Sequence, residues 1–225
     1  MALRAIVFDF DGVIANSEPL HFRGYRDVLA EEGIALTEAD YYAQYLGFDD
    51  VGAFEAIAKR HGVAWNGERI ADLVARKAVR LEALERDVSM LFPGAADVIR
   101  RSAAAMPIAI ASGARGEEIR RVLARERLLS CFSTIVAAED TPLSKPSPDP
   151  YLRALAELSA FAPRLRAAEC IAIEDSRWGL ESARAAGLRT VAVTSTYAAG
   201  ELTADLTIAS LSAIDLDRLG VLCRE

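Results

Sequence analysis

The hydrophobic positions of the chain fall into short apolar runs that alternate, over much of its length, with amphipathic segments. Six runs predict strands at residues 4–10, 107–112, 134–138, 170–174, 190–194 and, more weakly, 206–208. Helical patterns at residues 94–106, 117–127, 149–158 and 179–186 separate the later runs. Continuous apolar runs are typical of strands covered on both faces. The alternation therefore predicts an α/β fold with a doubly wound parallel sheet.

Residues 15–88 interrupt this alternation, because they offer four helical patterns in succession without a convincing strand. We interpret the segment as a four-helix domain inserted after the first strand. The predicted core domain then comprises residues 1–14 and 89–225, and the predicted helical cap domain comprises residues 15–88. The core is thus discontinuous in sequence.

Composition and charge narrow the classes of function. The chain has 225 residues, of which 52% are hydrophobic, enough for a large core domain and a small second one. Its formal net charge of −7 offers no basic excess to neutralise phosphates, so neither nucleic acid nor an anionic membrane is an expected partner.

The cysteines and the apolar segments bear on location. Cys131, Cys170 and Cys223 are odd in number and share no metal-ligand spacing, which favours a reducing compartment. No apolar stretch approaches about 18 residues, and the first residues resemble neither a signal nor a transit peptide. We therefore expect a cytoplasmic protein.

Two aspartates, Asp9 and Asp11, end the first apolar run and precede Gly12. Side chains two residues apart point the same way in an extended chain, so both could face one site. Neighbouring carboxylates repel unless a cation binds them or one is protonated, and both conditions are typical of reactive sites. A solvated end of a strand is the alternative for this pair alone, because acidic residues are common in turns.

Polar groups follow other predicted strands as well. Ser112 and Gly113 begin a loop of small residues that enters a helix and can present N–H groups to an anion. Glu174 and Asp175 end another apolar run, and Lys145 lies in a loop stiffened by three prolines. Taken singly, these residues have structural explanations as a helix cap, a turn and a surface lysine.

Together these groups favour one site, because open parallel sheets bind ligands beyond the carboxyl ends of their strands. The set contains four acids, a hydroxyl, a lysine and a glycine-containing turn. Carboxylate oxygens suit Mg²⁺, whereas an ammonium and N–H donors suit a phosphate. The sequence therefore predicts a site for magnesium and phosphate in which one acid is free to attack phosphorus.

Four ordered motifs, DFDGV, ASG, KPSPDPY and EDS, resemble those of haloacid dehalogenase superfamily phosphotransferases with a helical cap after the first strand. The segment SEPLHF is similar to the entry to the cap of β-phosphoglucomutase and related sugar-phosphate phosphatases. The resemblance implies a Rossmann-like core, a Mg²⁺ requirement and an aspartyl-phosphate intermediate.

The resemblance also implies roles for the strand-end residues. Asp9 would be the nucleophile, and Asp11 would be general acid and then general base, with its backbone carbonyl helping to bind Mg²⁺. Asp175 would be a direct metal ligand, and Glu174 a ligand or an anchor behind the ligands. The transferred phosphoryl oxygens would be held by Ser112, Lys145 and the N–H of Gly113.

Three further residues are candidate substrate contacts. His21 matches the LHF pattern, which implies contact with Asp11 when the cap closes, although a satisfied or exposed histidine is the alternative. Arg115 stands where relatives carry a residue that contacts the far end of the substrate, although an arginine at a helix start is usually a surface charge. Asp49 occupies the place of an arginine that binds the second phosphate in the mutases.

An acid at position 49, beside Asp50, would repel a second phosphate and so favours hydrolysis over isomerisation. We predict a monomeric Mg²⁺-dependent phosphatase that acts on a small phosphorylated metabolite, a sugar or polyol phosphate. The alternative is a β-phosphoglucomutase-like phosphomutase. A phospho-receiver signalling module also unites acids, a hydroxyl and a lysine, but it would be a compact domain of roughly 120 residues without an insert.

Overall fold

The structure, a computed structural model, describes residues 2–46, 48–86 and 89–223, apart from the side chain of Glu85. The chain divides into two compact units, one formed by Met1–Asn16 with Met90–Glu225 and the other by Ser17–Ser89. The first is the core unit and the second the helical insert. The predicted boundary after residue 14 lies close to the first division, and Val88, at the second predicted boundary, lies outside the described residues.

The core unit contains a parallel sheet with six strands among the described residues. The strands are β1 (Ala5–Phe8), β2 (Ile108–Ala111), β3 (Thr134–Val136), β4 (Cys170–Glu174), β5 (Arg189–Val193) and β6 (Leu206–Ile208). Their order is β3-β2-β1-β4-β5-β6, and every neighbouring pair is parallel. Phe8 aligns with Ile110 on one side and with Ile173 on the other. The doubly wound parallel sheet predicted from the apolar runs is confirmed.

The first strand is shorter than its apolar run. It ends at Phe8, and the carbonyl of Phe10 accepts the N–H groups of Ile14 at 2.8 Å and Ala15 at 2.9 Å, which closes a turn. Gly12 lies in this turn with φ of +74°, a conformation that glycine adopts without steric penalty. The prediction that extended geometry continues through Phe10 is therefore wrong, and strand alternation does not bring Asp9 and Asp11 to one site.

The insert has four helices in its described part, as predicted. They are α1 (Glu18–Glu31), α2 (Glu38–Gln44), α3 (Asp50–His61) and α4 (Gly67–Glu85). Their apolar faces meet in a core of their own that includes Tyr25, Leu29, Phe54, Ile57 and Leu73. The insert therefore has the buried apolar surface that a compact unit needs.

Five more helices are described in the core unit. They are α5 (Ala95–Ala105), α6 (Gly116–Arg125), α7 (Asp149–Leu158), α8 (Arg177–Ala185) and α9 (Leu216–Leu222). Tyr151, Ala154 and Leu158 of α7 belong to one buried cluster with Val7 and Ala172 of the sheet. Helix α7 thus covers the centre of the sheet and carries Tyr151 toward the ends of its strands.

Two helices differ from the sequence prediction. Helix α8 begins before residue 179, because the Ser176 side chain accepts the N–H of Gly179 at 3.0 Å and so caps the helix earlier. Helix α9 was not predicted. Its Asp215 cap, which accepts the N–H groups of Asp217 and Arg218, was a readable signal, but a helix this short offers little periodicity.

Helix α3 ends at Gly62, whose backbone conformation can be tested by substitution. It adopts a left-handed conformation, with φ of +66°, while the space around a Cβ would be open. We expect Gly62→Ala to lower the free energy of unfolding by about 1 kcal/mol, because an L side chain is strained there. Chemical denaturation would measure the change.

Gly67→Ala is the matched control for Gly62→Ala. Gly67 is the first residue of α4, and a Cβ there would also meet open space. Alanine favours helix over glycine, so this variant should be neutral or slightly more stable. Equal effects of the two substitutions would contradict the conformational explanation.

Candidate active site

Three buried acids meet where the central strands end. Glu174 is the last residue of β4, Asp175 follows it, and Asp9 follows β1. The N–H of Asp9 donates to the carbonyl of Ile173 at 2.9 Å, so the pairing of β1 with β4 sets Asp9 beside the other two acids. One carboxylate oxygen from each lies within 4.8 Å of the others. We call Asp9, Glu174 and Asp175 the carboxylate cluster.

Lys145 joins two members of the carboxylate cluster. Its Nζ lies 2.9 Å from Oδ1 of Asp9 and 2.6 Å from Oε1 of Glu174. The loop that carries Lys145 is fixed from behind, because the hydroxyl of Ser182 on α8 donates to the carbonyl of Ser147 at 2.5 Å. The loop lysine is therefore a largely buried part of the site, with 13% of its side chain exposed, rather than a surface group.

Glu174 is the most heavily hydrogen-bonded acid of the cluster. Its Oε1 accepts from Lys145 at 2.6 Å and from the hydroxyl of Tyr151 at 2.8 Å. Its Oε2 accepts the N–H groups of Asp175 and Ser176, at 3.2 and 3.3 Å, and the Ser176 hydroxyl at 3.1 Å. A carboxylate with five donors is held rigidly, which suits an anchor behind the ligands.

Glycines make room for two of the acids. A Cβ on Gly179, in the first turn of α8, would overlap the Glu174 carboxylate. A Cβ on Gly12 would overlap the carboxylate of Asp175. Backbone therefore approaches both acids more closely than any side chain would allow.

The loop after β5 contacts the same edge. The Thr196 hydroxyl donates to Oδ2 of Asp175, and the Ser195 hydroxyl donates to the carbonyl of Gly12. The residues that follow β1, β4 and β5 are thus connected to one another by side-chain hydrogen bonds.

Charge in the cluster is unbalanced. Burial, followed by the charge of Glu174, raises the pKa of Asp9 to about 6, and Lys145 only partly opposes this. Burial and then the charges of Glu174 and Asp9 hold the pKa of Asp175 well above its usual value. Burial acts to lower the pKa of Lys145, but Asp9 and Glu174 outweigh it and raise that pKa.

The cluster fits a divalent cation. With all three carboxylates ionised, they and the Lys145 ammonium would carry a net charge of −2, and burial together with mutual repulsion raises the pKa values of Asp9 and Asp175. Closely set carboxylate oxygens are the ligands that Mg²⁺ prefers. Asp9 and Asp175 are the better placed to hold it, since five protein donors already occupy the oxygens of Glu174.

Two N–H groups of the loop after β2 already donate to side chains of the protein. The N–H of Ala114 donates to Oγ of Ser112 at 3.0 Å, and the N–H of Gly116 donates to Glu139 at 3.0 Å. Gly113 is exposed, and the space around a Cβ there is open. The N–H of Gly113 and the hydroxyl of Ser112 are therefore the donors best placed to meet an anion.

The remaining predicted residues lie outside the carboxylate cluster. The Asp11 side chain, half-buried on the turn after β1, is not part of that cluster as the described residues define it. Arg115 is exposed at the start of α6. Asp49 is exposed too, and its Oδ1 accepts the N–H of Gly52 at 2.7 Å, which caps α3.

His21 lies within the insert beside a buried lysine. Its Nδ1 is 2.7 Å from Nζ of Lys77, which also lies 2.5 Å from Oδ1 of Asp50. Tyr25 completes the group, because its hydroxyl donates to Asp50 at 2.6 Å and its ring lies 4.5 Å below the Lys77 ammonium. The His21 ring takes part in this group through its Nδ1 atom.

Sequence reasoning missed several of these groups although signals existed. Tyr151 ends the KPSPDPY motif, and Ser195 and Thr196 obey the same strand-end rule as the predicted residues. Lys77 stands on the apolar face of α4, between Leu73 and Leu81, where a charged residue is exceptional.

The sequence of the chain is similar to those of known proteins. Residues 6–193 match the family described as haloacid dehalogenase-like hydrolases. The chain belongs to this family. It is 35% identical to protein CbbY of Rhodobacter capsulatus, over 95% of this chain and 96% of that protein. It is 28% identical to hexitol phosphatase B of Escherichia coli (strain K12), over 93% of each chain.

Solved structures agree with this assignment. CbbY from Rhodobacter sphaeroides in complex with xylulose-(1,5)-bisphosphate has 26% identity and a TM-score of 0.81, covering 95% of this chain and 96% of that one. β-Phosphoglucomutase from Clostridium difficile has a TM-score of 0.83 at 19% identity, covering 98% of this chain and 97% of that one. At this identity the similarity supports the fold alone. The predicted superfamily, branch and Rossmann-like fold are confirmed, and the chain is a phosphoric monoester hydrolase.

Asp9→Asn should make the metal-free protein more stable at pH 8. A carboxyl whose pKa rises from 3.8 to about 6 favours folding at low pH and opposes it increasingly as pH rises through that range. Removing the charge should therefore stabilise the fold by about 1–3 kcal/mol, or raise Tm by roughly 2–8 °C. Thermal unfolding in EDTA at pH 8 and pH 5 would measure this, and the gain should shrink at pH 5.

Asp97→Asn is the matched control, because the Asp97 side chain is 74% exposed on α5. Its stability should stay within about 0.5 kcal/mol of the wild type. A Tm of Asp9→Asn at or below the wild-type value at pH 8 would contradict the repulsion inferred in the carboxylate cluster.

Proposed function

We propose that this phosphatase requires Mg²⁺ and hydrolyses a small sugar or polyol phosphate through transient phosphorylation of Asp9. One contact carries the proposal: the Lys145 ammonium lies 2.9 Å from Asp9 inside a cluster of three buried carboxylates. Such an arrangement is suited to holding a phosphoryl group against a carboxylate. The names of relatives such as hexitol phosphatase B and fructose-1-phosphate phosphatase YqaB support the substrate class.

Asp9 and Asp175 would hold the metal ion, together with the backbone carbonyl of Asp11 that the family resemblance implies. The ion would supply charge neutralisation for the phosphoryl oxygens. Glu174 would act chiefly by fixing Lys145, since its oxygens already accept five protein donors.

The phosphoryl group would meet donors from two loops. Lys145 would pair with one of its oxygens, while the Ser112 hydroxyl and the N–H of Gly113 would hold others. These groups are held in place before substrate binds. Lys145 donates to Glu174, and the backbone N–H of Ser112 donates to the carbonyl of Val136 at 3.0 Å. Preorganised charge of this kind is the main way a protein lowers the barrier to phosphoryl transfer.

Two proton transfers would complete the reaction. In the first step an Asp9 oxygen bonds to phosphorus, the bond to the leaving oxygen breaks, and protonated Asp11 gives its proton to that oxygen. In the second step Asp11 takes a proton from the attacking water, which bonds to phosphorus as the Asp9–phosphate bond breaks. Inorganic phosphate leaves, and both aspartates return to their starting states.

Phosphomutase activity is the alternative, and the structure weakens one argument against it. The charge of Asp50 is paired with Lys77, and Asp49 accepts the N–H of Gly52, so neither acid is unpartnered. Their repulsion of a second phosphate is therefore smaller than the sequence suggested. The complex of Rhodobacter sphaeroides CbbY with a bisphosphate makes bisphosphates necessary members of any substrate panel.

The cellular location, the oligomeric state and the substrate contacts of the protein are also proposals. Cys131, Cys170 and Cys223 are free, which supports a reducing compartment such as the cytoplasm. Among the described residues, no helix combines the length and apolar character needed to cross a bilayer. The monomeric state and the substrate contacts of His21, Asp49 and Arg115 remain predictions.

Phosphate should be found on Asp9 and on no other residue. We expect acid quenching of wild-type enzyme during turnover, followed by peptide mass spectrometry, to place a phosphoryl group on the peptide that contains Asp9. Asp9→Asn should lose more than about 99.9% of kcat, because no nucleophile remains. Asp97→Asn should retain full activity. Phosphate on a different residue, or substantial turnover by Asp9→Asn, would contradict the nucleophile assignment.

A panel of phosphorylated metabolites would separate the two activities. With Mg²⁺ present, we expect steady release of inorganic phosphate from hexose, pentose or polyol phosphates, and this release should stop in excess EDTA. Formation of glucose 6-phosphate from β-glucose 1-phosphate, faster than phosphate release, would instead favour the mutase. The panel should include xylulose 1,5-bisphosphate, a ligand of the Rhodobacter sphaeroides relative.

A further inference from the structure

The loop after β5 reaches the carboxylate cluster through two hydroxyl groups. Strand β5 lies beside β4, with Ala192 aligned to Glu174, so the residues that follow each strand emerge at one edge of the sheet. Thr196 donates to Oδ2 of Asp175 and Ser195 donates to the carbonyl of Gly12.

The carboxylate of Asp175 has far fewer hydrogen bonds than that of Glu174. Glu174 has five donors, and Asp9 is held by its backbone N–H and by Lys145. In the part of the chain that the structure describes, the one hydrogen bond to the carboxylate of Asp175 comes from Thr196. Because one carboxylate oxygen of Asp175 lies within 4.8 Å of oxygens of Asp9 and Glu174, the carboxylate of Asp175 would turn away from these like charges without an opposing contact.

Gly12 provides the opposite wall. Its backbone lies so close to the Asp175 carboxylate that a Cβ would overlap it, and the Ser195 hydroxyl holds the carbonyl of the same glycine. The acid is thus enclosed between the turn after β1 and the loop after β5. Thr196 donates to Oδ2 of Asp175, and one oxygen of this carboxylate lies within 4.8 Å of oxygens of Asp9 and Glu174.

We propose that Thr196 is a positioning residue for the metal site: its hydroxyl fixes the Asp175 carboxylate in the orientation that binds Mg²⁺, and Ser195 supports it by holding Gly12. The inference rests on the proposed Mg²⁺ dependence and adds a residue of this chain that the metal site requires. It separates Thr196 from residues that contact the substrate, because its hydroxyl is directed at a ligand of the ion.

The position of Thr196 favours this role over a purely structural one. Thr196 is only partly buried and lies in a loop outside the regular elements, so little apolar packing is lost when its hydroxyl is removed. Groups that hydrogen-bond to metal ligands typically contribute about 10–100-fold to metal affinity. Removal of the hydroxyl should therefore affect metal binding much more than folding.

Three variants test the proposal by titration of Mg²⁺ into metal-free protein without substrate, followed by calorimetry and by the rise in Tm. Thr196→Val keeps the shape and removes the hydroxyl, and we expect it to bind Mg²⁺ about 10–100-fold more weakly. Thr196→Ser keeps the hydroxyl and should bind within about 3-fold of the wild type. Thr207→Val, on the exposed face of β6, is the control for the exchange itself and should bind normally.

Activity gives a second measurement. Thr196→Val should need more Mg²⁺ to reach half-maximal rate, while its kcat at saturating Mg²⁺ should recover toward the wild-type value. The pattern expected of a substrate contact is a higher KM for the phosphorylated substrate at saturating Mg²⁺, and this would overturn the proposal. Should Thr196→Val fold poorly in EDTA, Thr196→Ala provides the test, since it also removes the hydroxyl and should bind Mg²⁺ about 10–100-fold more weakly.

The results also distinguish this inference from the proposed function. Normal Mg²⁺ affinity in Thr196→Val, with Mg²⁺-dependent activity in the wild type, would overturn the role of Thr196 and leave the proposed function standing. Equal weakening in Thr196→Val and Thr196→Ser would overturn the role of the hydroxyl. A wild-type protein that binds no Mg²⁺ and releases phosphate without it would overturn both.

Discussion

The charged groups at the carboxyl edge of the sheet depend on the ion pair between Lys145, which is largely buried, and Glu174, which is fully buried. Lys145 Nζ lies 2.6 Å from Glu174, and the same ammonium lies 2.9 Å from Asp9. Without it, three carboxylates would share a buried volume with no counter-charge, which a protein interior does not tolerate. Glu174 is in turn fixed by Tyr151 and by the first residues of its own loop. The pair therefore sets both the position of Asp9, the proposed nucleophile, and the charge that the proposed metal ion would balance.

The insert contains a second buried ammonium, and its surroundings differ from those of Lys145. Lys77 is 1% exposed and meets one carboxylate, Asp50, together with the ring nitrogen of His21 and the face of Tyr25. That group has a balanced charge, whereas the carboxylate cluster retains a net negative charge even with Lys145. This difference matters because a buried cluster with a net charge is typical of a site where a ligand of opposite charge binds.

Much of the fold followed from local pattern, and the residues that escaped prediction have identifiable causes. The apolar runs at β1, β2 and β4 and the four helices of the insert were readable, since period and length distinguish them. The extension of β1 through Phe10 was wrong because a turn closed by the Phe10 carbonyl competes with the strand. The contacts of Tyr151, Thr196 and Lys77 were not readable, because hydrogen bonds between distant segments leave no periodicity in the sequence.

The sequence by itself determined the class of the fold, the family and the residue types gathered at the strand ends, because the alternation of apolar runs with helical patterns and the spacing of motifs are local properties of the chain. Only the tertiary structure decided which contacts each of those residues makes in the site. It showed that Glu174 is saturated with donors, that the carboxylates of Asp9, Glu174 and Asp175 meet at one point, and that Gly12 and Thr196 enclose Asp175. These assignments depend on distances between side chains far apart in sequence, and such distances exist only once the sheet has brought its strands together.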